Sequence, residues 1–383
     1  MGKDLKDIRA EIDQIDDEML ALFVRRMELA RDVAEAKQGS GKSVYDPARE
    51  RNMLLQITNE APEGLKSQAA SLFSLLMSMN KAEQLKIMHG DDPDAPSKQA
   101  RAAFKPVDEP FPSTATVACQ GVEGAYSQIA ACRLFSVPGI SYFSTFDGVF
   151  RAVRDGFCDF GVLPIENSTA GSVNAVYDLL AEYRFYIVRS VRLKIDHNLL
   201  AKPGTKVEDV REVFSHEQAV SQCSEYLDRL GAKVTVCENT AKAAEMVARS
   251  DRTDIAALSS RSCAPLYDLD ILAEDVQDSG NNYTRFVVIS KDPAIYPGAT
   301  RSSLMLTVNH EPGALYRVLE RFYALDINLL KLESRPIPER NFEFMFYFDL
   351  ECPVGSDAFS TMLDALDDVC ESYTYFGSYT EIL

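Results

Sequence analysis

Histidine is scarce in this sequence: 4 occur, at His89, His197, His216 and His310, far apart along the chain. Scattered histidines offer no metal-ligand spacing, so neither a metal nor another cofactor is expected. Cysteine pairs of the C-x-x-C type are missing. The 8 cysteines (Cys119, Cys132, Cys158, Cys223, Cys237, Cys263, Cys352 and Cys370) sit mostly among apolar residues, and a disulfide framework is not expected at this length. No apolar run approaches the ~18 residues that a membrane span needs. The N-terminus enters a charged stretch (Asp4, Lys6, Asp7, Arg9) without a signal-peptide pattern, so a cytoplasmic protein with reduced thiols is expected. Cations are in deficit, 40 Lys and Arg against 58 Asp and Glu, for a net charge of −18. With no basic stripe, nucleic acid and anionic membrane are not expected partners. An acidic chain that takes anionic substrates must gather its cations locally, so the positions of Arg and Lys carry information.

What is present is unevenly divided. A chain of 383 residues with 46% hydrophobic and 26% charged residues has room for two or three globular domains. The first, 1–90, reads as all helix. Ile8, Ile12, Ile15, Met19, Leu22, Leu29, Val33 and Ala36 recur at steps of four and three, a seam about 30 residues long. Asp46-Pro47 then supplies an N-cap followed by proline at the first helical position. A third helix runs from about Leu65 to Met88. One long helix with two shorter partners cannot bury its seam alone, so a homodimer is expected. The stretch 91–113, with Pro93, Pro96, Pro106, Pro110 and Pro112, reads as a linker. In 114–291 short apolar strands (Thr116–Cys119, Phe160–Leu163, Phe185–Val191, Glu212–Phe214, Ala256–Leu258, Phe286–Ile289) alternate with helices, which argues for α/β architecture. After a break at Lys291–Thr300, the stretch 302–383 reads strand, helix, strand, strand, helix, strand. That is a βαββαβ, ferredoxin-like α+β unit.

Within the helical seam, position 26 is Arg where an apolar residue is due. Lys37, eleven residues on, returns to the same face. Two cations thus face a packed interior, and an uncompensated buried charge is costly, so an anion must meet them. Asn80 and Gln84 lie one turn apart on the stripe of Phe73 and Leu76, and Arg49 and Glu50 open the second helix. A salt-bridge network and a pocket for a small dicarboxylate both fit. In the middle region, Gly121-x-x-Gly124-x-Tyr126-Ser127 follows a strand and opens a helix. Such glycines let backbone N–H groups approach an anion, though a plain turn serves as well. Polar turns follow apolar strands at Pro164-Ile165-Glu166-Asn167-Ser168-Thr169 and at Ser215-His216, which leads to Gln222. Strand ends of this kind are where open α/β sheets bind ligands. In the last region, Glu311-Pro312-Gly313-Ala314-Leu315 precedes a helix and Leu332-Glu333-Ser334-Arg335-Pro336 ends a strand.

Three resemblances follow from these residues. Ile8-Arg9-x-x-Ile12-x-x-Ile15-Asp16, Leu22-x-x-x-Arg26-x-x-Leu29-Ala30, Ala36-Lys37 and Asp46-x-x-Arg49-Glu50 resemble the AroQ-type chorismate mutases. The resemblance implies that Arg26, Lys37 and Arg49, with Arg9 of a second subunit, hold the carboxylates and ether oxygen of chorismate. It gives Gln84 a further contact to the ether oxygen and Glu50 one to the ring hydroxyl, with Asp46 and Asn80 completing the substrate-binding set. The glycine turn, Glu166-Asn167-Ser168, Tyr177-Asp178-Leu179-Leu180, Ser215-His216, Glu238-x-Thr240 and Asn282-Tyr283-Thr284-Arg285-Phe286 resemble prephenate dehydratase. Val122 replaces a proline common there, with both glycines kept. That family implies two lobes like a periplasmic binding protein with the site between them. It makes Thr284 the favoured acid or hydrogen-bond donor, assisted by Asn167 and Gln222, with Ser127, Glu166, Ser168, Thr240, Arg285 and Phe286 around the substrate. For Glu166 and His216 a structural role is the first reading and a direct role the alternative. The Gly-Ala-Leu and Glu-Ser-Arg-Pro motifs resemble the ACT domain of the same enzymes, which implies a phenylalanine site at Gly313, Ala314, Leu315, Glu333, Ser334 and Arg335 and pairing between two subunits.

The expectation is therefore an enzyme that turns chorismate into prephenate and prephenate into phenylpyruvate, inhibited by phenylalanine. An amino-acid-binding sensor without catalysis, and an arogenate dehydratase, are the rival readings.

Overall fold

The computed structural model describes residues 4–38, 46–89, 96–337, 343–367 and 369–383. The chain divides into two compact units, Met1–Ala95 with Ala365–Val369, and Pro96–Asp364 with Cys370–Leu383. No described helix is long and apolar enough to cross a membrane.

The first unit is built on α1 (Leu5–Gln38), α2 (Pro47–Glu60) and α3 (Lys66–His89). Asp46 caps α2, its carboxylate accepting from the Arg49 N–H at 3.1 Å, and Pro47 sits where a missing N–H costs nothing. Both α1 and α2 pack on α3. Most of the α1 seam finds no cover in a single chain: Ile12, Ile15, Met19, Leu22 and Leu29 are each at least 50% exposed. Apolar side chains at helical spacing that stay wet define a face that needs a partner.

In the second unit, the described part of the expected linker holds α4 (Pro96–Ala102) and two packed aromatics. Phe104 lies against Phe359 and Tyr375, and Phe111 against Phe135, Phe160 and Tyr296. The part before Pro96, with Pro93, lies outside the described residues.

The chain then builds β1 (Thr114–Gln120), α5 (Tyr126–Leu134), β2 (Val137–Phe143), α6 (Phe146–Arg154), β3 (Phe160–Asn167), β4 (Gly171–Ser172), α7 (Asn174–Tyr183) and β5 (Tyr186–Lys194). It crosses to a second sheet of β6 (Asn198–Ala201), β7 (Glu212–Ser215), β8 (Lys233–Val236), β9 (Ile255–Ser259) and β10 (Asp270–Ala273). That lobe carries α8 (Glu217–Gln222), α9 (Ser224–Leu230), α10 (Thr240–Arg249) and α11 (Cys263–Leu266). It returns as β11 (Tyr283–Ser290), between β5 and β3. Two sheets joined by two crossings make a two-lobed body with a cleft between strand ends.

The C-terminal part is β12 (Arg301–Thr307), α12 (Ala314–Ala324), β13 (Asn328–Pro336), β14 (Phe344–Glu351), α13 (Asp357–Asp367) and β15 (Ser372–Tyr379). Its sheet runs β13-β14-β12-β15, and the pairings are antiparallel. One face meets α12, where Phe348 packs edge-on to Phe322. The other belongs to the first lobe's core, where Tyr347, Phe376 and Tyr379 join Leu163, Tyr177 and Ile187. The final strand, β16 (Glu381–Ile382), pairs with β5 and so extends the first lobe's sheet.

Candidate active sites and effector pocket

In the helical unit, α1 and α3 bring Arg26, Asn80 and Gln84 together. The Arg26 guanidinium donates to Asn80 Oδ1 at 2.5 Å and to the Leu76 carbonyl at 2.6 Å. Both acceptors are neutral, and no carboxylate pairs with Arg26 among the described residues. Burial pulls its pKa below the ordinary guanidinium value. One turn along α3, Gln84 is buried and its Oε1 has no hydrogen-bond partner. A cation without a counter-anion suits an anionic ligand, and the unmet Gln84 Oε1 suits one that also carries a hydroxyl donor. Glu50 pairs with Lys81 at 3.0 Å. Lys37 is half-buried at the end of α1, whereas Arg49 and Arg9 are exposed in the single chain.

In the two-lobed body, register places Thr284 of β11 opposite Asn167 of β3. The Asn167 amide nitrogen donates to Thr284 Oγ1 at 2.9 Å and to Asn282 Oδ1 at 2.8 Å. Asn282 Nδ2 donates to Gln222 Oε1 at 2.9 Å, Gln222 Nε2 to Thr169 Oγ1 at 2.7 Å, and Thr169 Oγ1 to Asn167 Oδ1 at 2.7 Å. The four side chains close a ring that ties the first lobe to α8 of the second. Thr284 hangs from it, 8% exposed. Because Asn167 donates to the Thr284 oxygen, the hydroxyl hydrogen is left for another acceptor. Asn282 and Thr169 stand inside the motifs read from the sequence but are given no site role there. Each lies two residues from Thr284 or Asn167: Asn282 just before β11, and Thr169 in the turn after β3, where it bonds back to Asn167.

Other expected site residues stand elsewhere. Glu166 and Arg285 form the adjacent register pair and alternate to the opposite face of the sheet from Thr284. There the buried Arg285 pairs with Asp349 of β14 and lies 3.4 Å from Glu166. Burial opposes its charge most, but the Asp349 carboxylate together with the neighbouring tyrosines outweighs it and raises the guanidinium pKa. Lys331 of β13 reaches Glu166 at 3.2 Å and donates to Ser172 at 2.6 Å. Phe286 is buried in the core beneath. Ser168 accepts from the Tyr283 N–H and donates to the Asn281 carbonyl, both at 2.9 Å. Ser127 and Thr240 stand in the first turns of α5 and α10. At Gly124 the N–H is taken by the Gln128 side chain. A Cβ there would sit 2.7 Å from Cys263 Sγ, so this glycine serves close packing of the lobes.

In the C-terminal sheet, Ala314 and Leu315 line a pocket with Val308, Asn309, His310 and Phe346. Gly313, at φ +83°, starts α12 beside it. Glu333 and Arg335 do not line that pocket: Glu333 accepts from Ser172, and Arg335 grips Asp178 at 2.7 and 2.9 Å. Ser334 is exposed. Among the described residues no group of three or more His, Cys, Asp or Glu is placed to hold a metal ion.

Arg26 in a helical seam, a two-lobed α/β body with a buried hydroxyl where its lobes meet and a ferredoxin-like sheet suit a multidomain enzyme of anionic small molecules. Comparison with known proteins makes the class specific. The chorismate mutase type II profile matches residues 8–85, and the prephenate dehydratase profile matches residues 117–294. Over the full length, the chain is 31% identical to a bifunctional chorismate mutase/prephenate dehydratase of Aquifex aeolicus, covering 100% of this chain and 99% of that one. It is 37% identical to an Arabidopsis thaliana protein named arogenate dehydratase/prephenate dehydratase 2, over 70% of this chain and 73% of the relative. Among solved structures, the prephenate dehydratase of Arthrobacter aurescens in complex with L-Phe matches with a TM-score of 0.64 and 26% identity, covering 69% of this chain and 89% of that one. A protein described as a quorum quenching acylase, GqqA, matches with a TM-score of 0.65 and 32% identity, covering 70% and 98%. The chain belongs to the family of bifunctional chorismate mutase/prephenate dehydratases.

Proposed function

We propose that the two activities of this family, chorismate mutase and prephenate dehydratase in phenylalanine biosynthesis, run on the two sites described, with phenylalanine as effector at the C-terminal pocket. The domains are 1–90 for the mutase, 114–291 for the dehydratase and 302–383 for regulation, with 91–113 between the first two.

The Claisen rearrangement of chorismate needs no nucleophile and no proton transfer. The enzyme has to hold a compact conformer and stabilise charge growing on the ether oxygen. Arg26 and Gln84 are the donors for that oxygen and a carboxylate. Lys37, Arg49 and an Arg9 from a second subunit complete the cation set, with Glu50 and Asn80 orienting the ring. The wet α1 seam supports a homodimer, because the face that would cover it and the missing Arg9 come from the same partner.

Prephenate then loses CO₂ and its ring hydroxyl together, and aromaticity drives the step. The leaving hydroxide has to be met by a hydrogen-bond donor. The observation that carries the reading is the buried ring that leaves the Thr284 hydroxyl hydrogen unspent. A threonine hydroxyl is a weak acid, so its role is to donate a hydrogen bond to the departing oxygen, with Asn167 and Gln222 holding it in line.

The L-Phe complex of the Arthrobacter relative supports phenylalanine as ligand of the pocket at Gly313, Ala314 and Leu315. Glu333 and Arg335 then act as struts to the dehydratase lobe. The cytoplasmic expectation also stands as part of this reading. The test is coupled turnover by one polypeptide: chorismate in, phenylpyruvate out, the second step slowed by phenylalanine. Arogenate offered in place of prephenate measures how far the dehydratase accepts an amine.

A further inference from the structure

The ring at the dehydratase centre has a direction, and two backbone groups set it. The N–H groups of Thr169 and Ala170 both donate to Asn167 Oδ1, at 3.0 and 2.9 Å. That oxygen is an acceptor, so Nδ2 is the atom that faces Asn282 and Thr284. Thr169 spends its one hydroxyl hydrogen on the same Oδ1 and so accepts from Gln222 Nε2. Gln222 Oε1 is thereby turned to Asn282 Nδ2 and to His197 Nε2, both 2.9 Å away. A carbonyl oxygen cannot donate, so His197 carries its hydrogen on Nε2.

His197 stands where the chain crosses between lobes, and its backbone is pinned there. Its N–H donates to Gln277 Oε1 at 2.9 Å, and its carbonyl accepts from the Val276 N–H at 2.9 Å. The Tyr126 ring meets the imidazole edge-on, with centroids 6.5 Å apart. The side chain is 3% exposed, and Nδ1 has no hydrogen-bond partner. Burial favours the neutral ring, against the pull of the Gln222 bond and of Asp196. An unpaired buried acceptor is destabilising, a cost that an apolar side chain of similar size would avoid. The Nε2–H is what a histidine supplies here and an apolar side chain cannot.

We propose that His197 is a positioning residue of the dehydratase centre, whose Nε2–H holds the Gln222 amide in the orientation that keeps the ring closed and leaves the Thr284 hydroxyl free to donate. A flipped Gln222 would set its Nε2 against the Asn282 amide nitrogen, donor against donor. The proposal rests on the dehydratase reading above.

Three variants of the full chain test it, with prephenate turnover as readout and chorismate turnover by the same protein as folding control. His197→Met removes the donor. His197→Gln puts an amide nitrogen where Nε2 was, and His197→Asn puts one where Nδ1 was. His197→Met should lower kcat at least about tenfold, as loss of one buried hydrogen bond does. KM should stay within about threefold, because the residue orients a donor and does not bind prephenate. His197→Gln should recover most of the rate, and His197→Asn should not. Equal rates for the Gln and Asn variants, or a His197→Met kcat within about twofold of wild type, would overturn the proposal. If His197→Met loses both activities by unfolding, the Gln–Asn difference still decides. A wild-type protein that leaves prephenate untouched would refute the dehydratase reading itself.

Discussion

Thr284 and Asn167 face each other across β11 and β3, with the Asn167 amide donating to the Thr284 hydroxyl at 2.9 Å. The pair sets apart one hydroxyl hydrogen at a buried position, and the proposed dehydratase step depends on it. Thr284→Ala should therefore turn the enzyme into a mutase that accumulates prephenate. Removing one preorganised donor costs about 10²–10³ in kcat. Thr284→Ser, which keeps the hydroxyl, should retain far more activity. Prephenate turnover by Thr284→Ala within about tenfold of wild type would remove Thr284 from the centre.

Arg26→Ala should do the reverse. Among the described residues its guanidinium is answered by neutral oxygens and by no carboxylate, which leaves its charge for substrate. Chorismate turnover should fall by about 10²–10³, with prephenate dehydration nearly unchanged. Near wild-type mutase kinetics in a folded variant would contradict the assignment.

The exposed α1 seam leads to a third expectation. Leu22→Glu places a charge on the exposed face that the proposed dimer of helical units would bury. Sedimentation velocity should show the helical contact weakened, and mutase activity should rise again with protein concentration as subunits reassociate. Unchanged association and activity would mean the seam is not the interface.

Gly313→Val should relieve inhibition by phenylalanine while both activities persist. At φ +83° a β-branched residue is strained, and the turn beside the pocket has to shift. Dehydratase rate against phenylalanine concentration reads this directly. Truncation after Lys291 is a poorer test, because it strips β16 from the first lobe's sheet and leaves the buried Arg285 without Asp349. An inhibition curve for Gly313→Val that overlays wild type would move the effector site elsewhere.

Much of this was legible in the sequence where spacing repeats. The α1 seam, the Asp46-Pro47 start of α2 and the run from α12 through β13 stand as read, because helical and strand periods mark them locally. The short strands β4, β6 and β16 leave too few residues for a period to register. The motifs named Thr284, Asn167 and Gln222, and the structure brings these three together, while others that they named face away. Arg285 and Glu166 look like site residues by proximity, yet strand alternation turns them to the C-terminal sheet. Their partners Asp349 and Lys331 are 64 and 165 residues away in the chain. Arg335, named from its motif as an effector contact, is held in the single chain by Asp178, 157 residues distant. His197 carries no periodic signal at all, and only the closed ring gives its nitrogen a direction.

The most direct measurement follows purified full-length protein supplied with chorismate alone, with prephenate and phenylpyruvate quantified over time, with and without phenylalanine. Phenylpyruvate should form by way of prephenate, and phenylalanine should slow its appearance, letting prephenate build up. Prephenate that accumulates without ever becoming phenylpyruvate, or chorismate that is left unchanged, would contradict the account.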